Sequence, residues 1–238
     1  MQFFIFVIII CLFVFLYCVY LLANSDFIFL RKDVTMERLF NIIFLGSLCS
    51  LFFARFFYGL FYAKNILVNP FIFLLFPYFP GLSMLGGVLG TGVVFLFLAT
   101  RPKNTLPLGR MSDFFSIAFL VTLPVGLLGY FMFSEDNFPA IKAGSLVVVY
   151  LILFLIFLRF LLPQLLNGKF KEGTISFLFL ISFAVVSLAS NAFPAISVLD
   201  FFKNIENIMF ILVLISSTVL VFRQENLLLK FKELRRKK

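Results

Sequence analysis

The sequence predicts an all-α, polytopic integral membrane protein with about seven transmembrane helices. Hydrophobic residues fill 63% of its 238 positions and charged residues only 13%, whereas soluble domains are about half apolar and a quarter charged. Apolar runs long enough to span a bilayer also recur along the chain, since about 20 helical residues cross the ~30 Å hydrocarbon core. Helices are expected rather than strands, because alternating segments of about ten residues are absent.

Seven apolar runs are the predicted spans. They are Phe3–Ala23, Leu39–Tyr62, Leu82–Ala99, Phe114–Phe133, Leu146–Leu166, Thr174–Phe193 and Met209–Phe222. The segment from Asn65 to Pro80 is apolar but interrupted by three prolines, which predicts an interfacial or re-entrant arm instead of a span. We expect one transmembrane domain at residues 1–222 and a basic cytoplasmic tail at residues 223–238.

The distribution of basic residues predicts the orientation in the membrane. One side of the predicted bundle carries only Lys64, Lys142 and Lys203, and the other side carries the remaining Lys and Arg loops and the tail. Basic loops stay on the cytoplasmic side, so the N-terminus is predicted outside and the C-terminus in the cytoplasm. The net charge of +9 suits contact with anionic headgroups. No nucleic-acid partner is predicted, because the tail lacks interleaved exposed aromatics.

Residue types exclude several enzyme classes. The chain contains no histidine, which removes the commonest general base at neutral pH and the usual imidazole metal ligand. Serine-hydrolase triads and zinc-protease motifs are therefore excluded. Cys11, Cys18 and Cys49 all lie within predicted spans, where they indicate neither a disulfide nor a metal site. We predict no metal and no cofactor.

Local signals predict some helix ends and one helix contact. Thr35 is a start signal for the second span, Asn167-Gly168 ends the fifth, and Asp113 is interpreted as a cap at the start of the fourth. Gly86 and Gly90 are four residues apart in the third span, a spacing that permits close helix packing.

Two charged residues near the predicted outer ends of spans are candidates for chemistry. Arg55 lies about 10 Å inside the outer end of the second span, where a buried guanidinium costs about 2.5 kcal/mol or more and should face the bundle. The alternative is an arginine that extends to the interface without a ligand. Glu135 ends the fourth span on the same side and could act as a general base or pair with Arg55. It could equally be an ordinary interfacial acid.

Three segments resemble motifs of the prolipoprotein diacylglyceryl transferase family. Residues 81–87 read G-L-S-M-L-G-G, similar to the family's G-M-S-F-H-G-G, and residues 126–135 read G-L-L-G-Y-F-M-F-S-E, similar to G-R-x-G-N-F-x-N-G-E. Residues 54–62, A-R-F-F-Y-G-L-F-Y, resemble A-R-x-G-Y-x-x-F-Y. The family's histidine, arginine and asparagine are replaced by Leu85, Leu127 and Tyr130. Its later arginine and glutamate are replaced by Ser187 and Asn191.

The resemblance implies an activity and a site. The family moves a diacylglyceryl group from phosphatidylglycerol to the lipobox cysteine of prolipoproteins in the bacterial cytoplasmic membrane, so the implied partners are phosphatidylglycerol and prolipoprotein signal peptides. Glu135 is the implied catalytic residue. The implied substrate-binding residues are Arg55, Tyr62, Ser83, Gly86, Gly87, Gly126 and Gly129.

Three functions remain open from the sequence. The first is a diverged but active transferase, with its activity impaired by the lost motif residues. The second is an inactive relative that binds phospholipid or lipoprotein precursors. The third is a small-molecule transporter, which the hydropathy allows but for which no inverted repeat is visible.

Overall fold

The described part of the chain is built from helices. A computed structural model describes residues 3–27, 29, 35–74, 81–100, 107–133, 140–192 and 198–225. The elements are α1 Phe3–Asn24, α2 Met36–Phe61, α3 Lys64–Val68, α4 Pro70–Leu74, α5 Met84–Ala99, α6 Leu108–Phe133, α7 Ala140–Ile156, a π-helical turn Phe157–Leu161, α8 Leu162–Leu166, α9 Thr174–Ala192, α10 Val198–Lys203 and α11 Ile205–Gln224. No strand occurs within these ranges, which confirms the all-α, polytopic class.

Six of the seven predicted spans are helices long and apolar enough to cross a membrane. The third span is shorter than expected, because α5 has 16 residues and a rise of 1.5 Å per residue gives about 24 Å. Within its described residues, 65–74, the predicted arm does not span the membrane, because α3 and α4 have only five residues each. Residues 75–80 of the arm lie outside the described ranges. The predicted orientation of the termini stays a prediction.

Four helices begin earlier than hydropathy predicted, and α2 does so by three residues, at Met36 instead of Leu39. α6 and α7 begin at Leu108 and Ala140, each six residues before the predicted start. α11 begins at Ile205 because Asn204 caps it, accepting a hydrogen bond from the N–H of Glu206 at 3.0 Å. Polar residues at these starts lowered the local hydropathy without ending the helix. The predicted boundary between bundle and tail at residues 222 and 223 stays a prediction. The last helix, α11, continues to Gln224, and residues 226–238 lie outside the described ranges.

The predicted helix ends in the second and fifth spans are confirmed. The side chain of Thr35 accepts from the N–H of Arg38 at 3.4 Å. The fifth span ends at Leu166, followed by Gly168 at φ +70°. The π-helical turn precedes Pro163, whose missing N–H prevents a regular α-helical bond there.

Asp113 has a different role from the predicted cap of its own helix. It lies in the second turn of α6 and caps α9 instead, accepting hydrogen bonds from the N–H groups of Gly173 at 2.7 Å and Ser176 at 2.8 Å. The prediction was wrong about the partner because a tertiary contact supplies donors that sequence neighbours would otherwise provide.

The predicted glycine contact is confirmed between α5 and α2. A Cβ on Gly86 would lie 2.5 Å from the main-chain oxygen of Phe53, and one on Gly90 would lie 2.7 Å from that of Cys49. Only glycine therefore allows α5 to approach the backbone of α2 this closely. This contact fixes the start of α5 against the middle of α2, which positions the candidate site.

Candidate functional site

Arg55 is buried inside the bundle and is not at a lipid-facing surface. It is only 2% exposed. Its Nη1 donates to the main-chain oxygen of Gly81 and its Nη2 to that of Ile72, both at 2.9 Å. Its Nε is buried with no hydrogen-bond partner among the described residues. The guanidinium thus fastens the middle of the arm and the residue that follows it to α2, and its Nε–H stays unused among the described residues.

The chain turns sharply from the arm into α5 beside this guanidinium. Gly81 has φ +137°, and a Cβ there would lie 2.1 Å from the ring of Tyr58, so the turn requires glycine. The N–H of Ser83 then donates to the oxygen of Ala54 at 3.0 Å. The Ser83 hydroxyl caps α5 by accepting from the N–H of Gly86 at 3.3 Å. Ser83 is consequently held next to Arg55 by main-chain contacts.

A third helix brings a carboxylate to the same place. Glu206, in the first turn of α11, is 9% exposed. One of its oxygens accepts from the hydroxyl of Tyr62, and the other accepts from that of Ser83 at 3.4 Å. The N-terminus of α11 favours negative charge at this position. We call Arg55, Tyr62, Ser83 and Glu206 the polar cluster, and the end of the bundle that carries it the site end.

Tyr62 is the outermost member of the polar cluster. It follows the last residue of α2 and is 56% exposed. Partial burial and the hydrogen bond to Glu206 together raise the pKa of Tyr62 above its ordinary value. Its hydroxyl is therefore a neutral donor at physiological pH, which leaves Glu206 as the acceptor of that hydrogen bond.

An amide pair extends the polar surface from α11 to α9. Asn191 donates from Nδ2 to Oδ1 of Asn207 at 2.9 Å, and Asn207 donates from Nδ2 to the oxygen of Phe201, also at 2.9 Å. Asn207 follows Glu206 in the chain, so the amide pair lies at the same end of α11 as the polar cluster. Four helices thus contribute polar side chains at the site end.

The predicted site residues fall into separate groups. Arg55, Tyr62 and Ser83 come together, as described above. Gly86 faces α2, and a Cβ on Gly87 would lie 3.1 Å from Oγ of Ser50 on the same helix.

Two other predicted glycines face α1. A Cβ on Gly126 would lie 3.6 Å from Sγ of Cys11, and one on Gly129 would lie 2.2 Å from Val7. Glu135 lies outside the described residues, so its catalytic role stays a prediction.

Two of the replaced motif positions are part of the apolar core. Leu85 is 1% exposed and Leu127 is 9% exposed, and both belong to the main hydrophobic cluster. Tyr130 is half-buried. Neither leucine can donate a proton or carry charge, so neither can take part in proton transfer or bind an anion.

The opposite end of the bundle holds a second set of polar residues, which includes an ion pair. Nε of Arg110 forms an ion pair with Asp26 at 2.7 Å, and its Nη1 donates to the oxygen of Leu165. Glu225 accepts from the N–H of Lys171 at 2.9 Å and from the hydroxyl of Thr174 at 2.8 Å. The contacts of Arg110 join α6 to the residues after α1 and to α8, and those of Glu225 join the end of α11 to the start of α9. Across the described ranges, no group of three or more acidic or cysteine residues could hold a metal ion.

Sequence reasoning missed Glu206. The predicted last span began at Met209, because Glu206 and Asn207 interrupt the apolar run. A usable signal was present: Asn204 is a favoured N-cap residue, and an acid two residues later is typical of a helix's first turn.

Comparison with known proteins bears on the first part of the chain. The family model described as prolipoprotein diacylglyceryl transferase matches residues 1–137. Arg55, Tyr62 and Ser83 lie within the matched range, and Glu206 lies beyond it. No curated protein matches the chain significantly.

Proposed function

Because the chain belongs to the prolipoprotein diacylglyceryl transferase family, we propose that it transfers a diacylglyceryl group from phosphatidylglycerol to the lipobox cysteine of prolipoproteins. It would do so in the bacterial cytoplasmic membrane, with the site end facing outward. The polar cluster is the observation that carries this proposal. It combines a buried cation, two hydroxyls and a carboxylate in a multi-pass membrane protein.

Arg55 is proposed to act on the phosphate of the donor lipid. A guanidinium has five N–H donors, of which the two main-chain contacts use one each on Nη1 and Nη2. The remaining donors include the buried Nε, so a phosphate oxygen can be bound without breaking the contacts that hold the arm. Such charge-assisted bonds stabilise the negative charge that develops on the leaving phosphate.

Glu135 remains proposed as a catalytic carboxylate on the strength of its motif alone. The glycines Gly86, Gly87, Gly126 and Gly129 are proposed to shape the space around the lipid through close helix contacts. Gly86 and Gly129 support this role, since side chains there would collide with α2 and α1.

The test is transfer of a labelled diacylglyceryl group from phosphatidylglycerol vesicles to a lipobox peptide by the purified chain. Arg55→Lys keeps the charge but loses the planar fork, so we expect at least a tenfold lower rate. Arg110→Lys is the matched control, because Arg110 is equally buried but lies at the opposite end. Equal rates in both variants would contradict the role of Arg55.

A second function is favoured by one observation. Leu85 and Leu127 occupy, in the apolar core, positions at which the family has a histidine and an arginine, which removes two polar groups together. A catalytically inactive relative would bind phosphatidylglycerol or a precursor without transfer. Folded protein that retains phosphatidylglycerol in native mass spectra but transfers no label would favour this function.

A further inference from the structure

We infer that Glu206 is the group that receives the acceptor cysteine and takes the proton from its thiol. This inference rests on the proposed function, since the thiol is that of the lipoprotein precursor. It concerns a residue beyond the range matched by the family model. The substrate class at this position is an aliphatic thiol presented from the outer surface of the membrane.

The hydrogen bonds of Glu206 leave acceptor capacity on its carboxylate. An ionised carboxyl group accepts only and offers about four lone-pair positions. Within the described chain, Tyr62 and Ser83 provide one hydrogen bond each. The two hydroxyls orient the carboxylate, which lies in the first turn of α11. Glu206 is therefore an oriented base with lone-pair positions left for another donor.

The contact with Ser83 is the one that a thiol can replace. At 3.4 Å it is long for an O–H···O hydrogen bond, and the Ser83 hydroxyl is also engaged with the N–H of Gly86 at 3.3 Å. A thiol that enters between Ser83 and Glu206 therefore displaces only a weak bond. Ser83 keeps its role as the cap of α5 throughout.

Arg55 supplies an independent reason to place a reacting group here. Its Nε is buried without a partner within the described ranges. The neighbouring residue Ala54 accepts the N–H of Ser83. The guanidinium contacts the oxygen of Gly81, two residues before Ser83, and Glu206 accepts from Ser83 itself. A donor phosphate at Arg55 and a thiol at Glu206 would therefore meet near Ser83.

The chemical step balances without any further reagent. The S–H bond breaks and its proton passes to an oxygen of Glu206, while the sulfur lone pair forms a bond to the glyceryl carbon of the donor. The bond from that carbon to the phosphate oxygen breaks, and the oxygen keeps the electron pair. Glycerol phosphate leaves, and Glu206 returns its proton to the leaving phosphate or to water.

Cross-linking tests the position of the thiol without requiring turnover. Glu206→Cys and Ile205→Cys are made separately in the full chain and oxidised with copper phenanthroline in the presence of a lipobox peptide. Ile205 is the matched control, because it is adjacent in the chain but exposed. We expect a peptide disulfide at position 206 at several times the yield found at 205. Equal yields, or none at 206, would overturn the inference.

Turnover tests the proton transfer. Removal of a general base costs about 100-fold or more, so we expect Glu206→Gln to lose that much rate while Glu225→Gln, at the other end of α11, keeps it. A rate for Glu206→Gln within about threefold of the unmodified chain would overturn the inference, most clearly if Glu135→Gln is inactive. If the unmodified chain transfers nothing, the proposed function fails, and the cross-link alone decides whether the thiol reaches Glu206.

Discussion

Substitution of Gly86 by alanine tests how the site end is held together. The new Cβ would lie 2.5 Å from the oxygen of Phe53 and 2.9 Å from both Cα of Ala54 and Cβ of Phe57. Ordinary contacts need about 3.5 Å, so α5 must move by about 1 Å relative to the backbone of α2. Such overpacking costs about 1–3 kcal/mol. The better helix propensity of alanine offsets about 0.5–1 kcal/mol of this cost, so the net loss is about 0–2.5 kcal/mol.

Gly92 provides the matched control on the same helix. A Cβ at Gly92 would meet nothing within 4 Å, so Gly92→Ala should be neutral or stabilising by up to about 1 kcal/mol. Both variants are compared with the unmodified chain by equilibrium unfolding in one detergent, followed by helical circular dichroism.

The same two variants should also differ in activity. A shift of α5 moves Ser83 away from Glu206, so transfer should fall in Gly86→Ala and remain in Gly92→Ala. The reasoning is refuted if Gly86→Ala is as stable as Gly92→Ala, because the interface between α5 and α2 would then accept a methyl group at position 86 without overpacking.

Three further predictions concern the opposite end and the loop before α9. Asp113→Asn should cost about 1–3 kcal/mol, because each carboxylate oxygen accepts one N–H and the amide replaces one of those oxygens by an NH2 donor. An unchanged unfolding midpoint would contradict the tertiary cap. Asp26→Asn should cost about 3–5 kcal/mol by leaving the Arg110 charge buried and unpaired, and the double variant Asp26→Asn, Arg110→Met should recover much of that loss in the same unfolding assay. Gly168→Ala should lose about 1 kcal/mol, since φ is +70° there, and a loss larger than that of Asp26→Asn would count against this account.

The sequence could predict the helices because their signal is local. Apolar length alone located the spans, and the Thr35 and Gly168 signals marked two ends correctly. The sequence predicted a start at Leu82, two residues before the observed start of α5. The helix begins after Ser83, whose hydroxyl caps it by accepting a hydrogen bond from the N–H of Gly86. That contact depends on side-chain direction, which hydropathy does not contain.

The candidate site was predictable only where residues are near in the chain. Arg55 and Tyr62 share one helix end, and Ser83 follows the adjoining arm. Glu206 joins them from 123 residues after Ser83, and Asp113 caps a helix 60 residues further on. Such contacts follow from the tertiary arrangement, so no local pattern specifies them.

The carboxylates at the two ends of α11 are expected to differ in role, with Glu206 acting in function and Glu225 in stability. Glu225 is 6% exposed and accepts two short hydrogen bonds, from the N–H of Lys171 and the hydroxyl of Thr174. Glu206 is similarly buried, but one of its hydrogen bonds is long and the other comes from the exposed Tyr62. A carboxylate with two short hydrogen bonds contributes stability, whereas one with a long hydrogen bond and remaining acceptor capacity suits chemistry.

Alanine substitutions at the two positions should therefore have opposite effects. Glu225→Ala should lose about 1–3 kcal/mol of unfolding free energy, because the N–H of Lys171 and the hydroxyl of Thr174 lose their acceptor, and should keep the transfer rate of the molecules that remain folded. Glu206→Ala should lose transfer and change stability by less than about 1 kcal/mol, because the Tyr62 hydroxyl can bond water instead. Unfolding and transfer are measured on the same preparations. Parallel losses of stability and transfer in both variants would mean that Glu206, like Glu225, only joins helices.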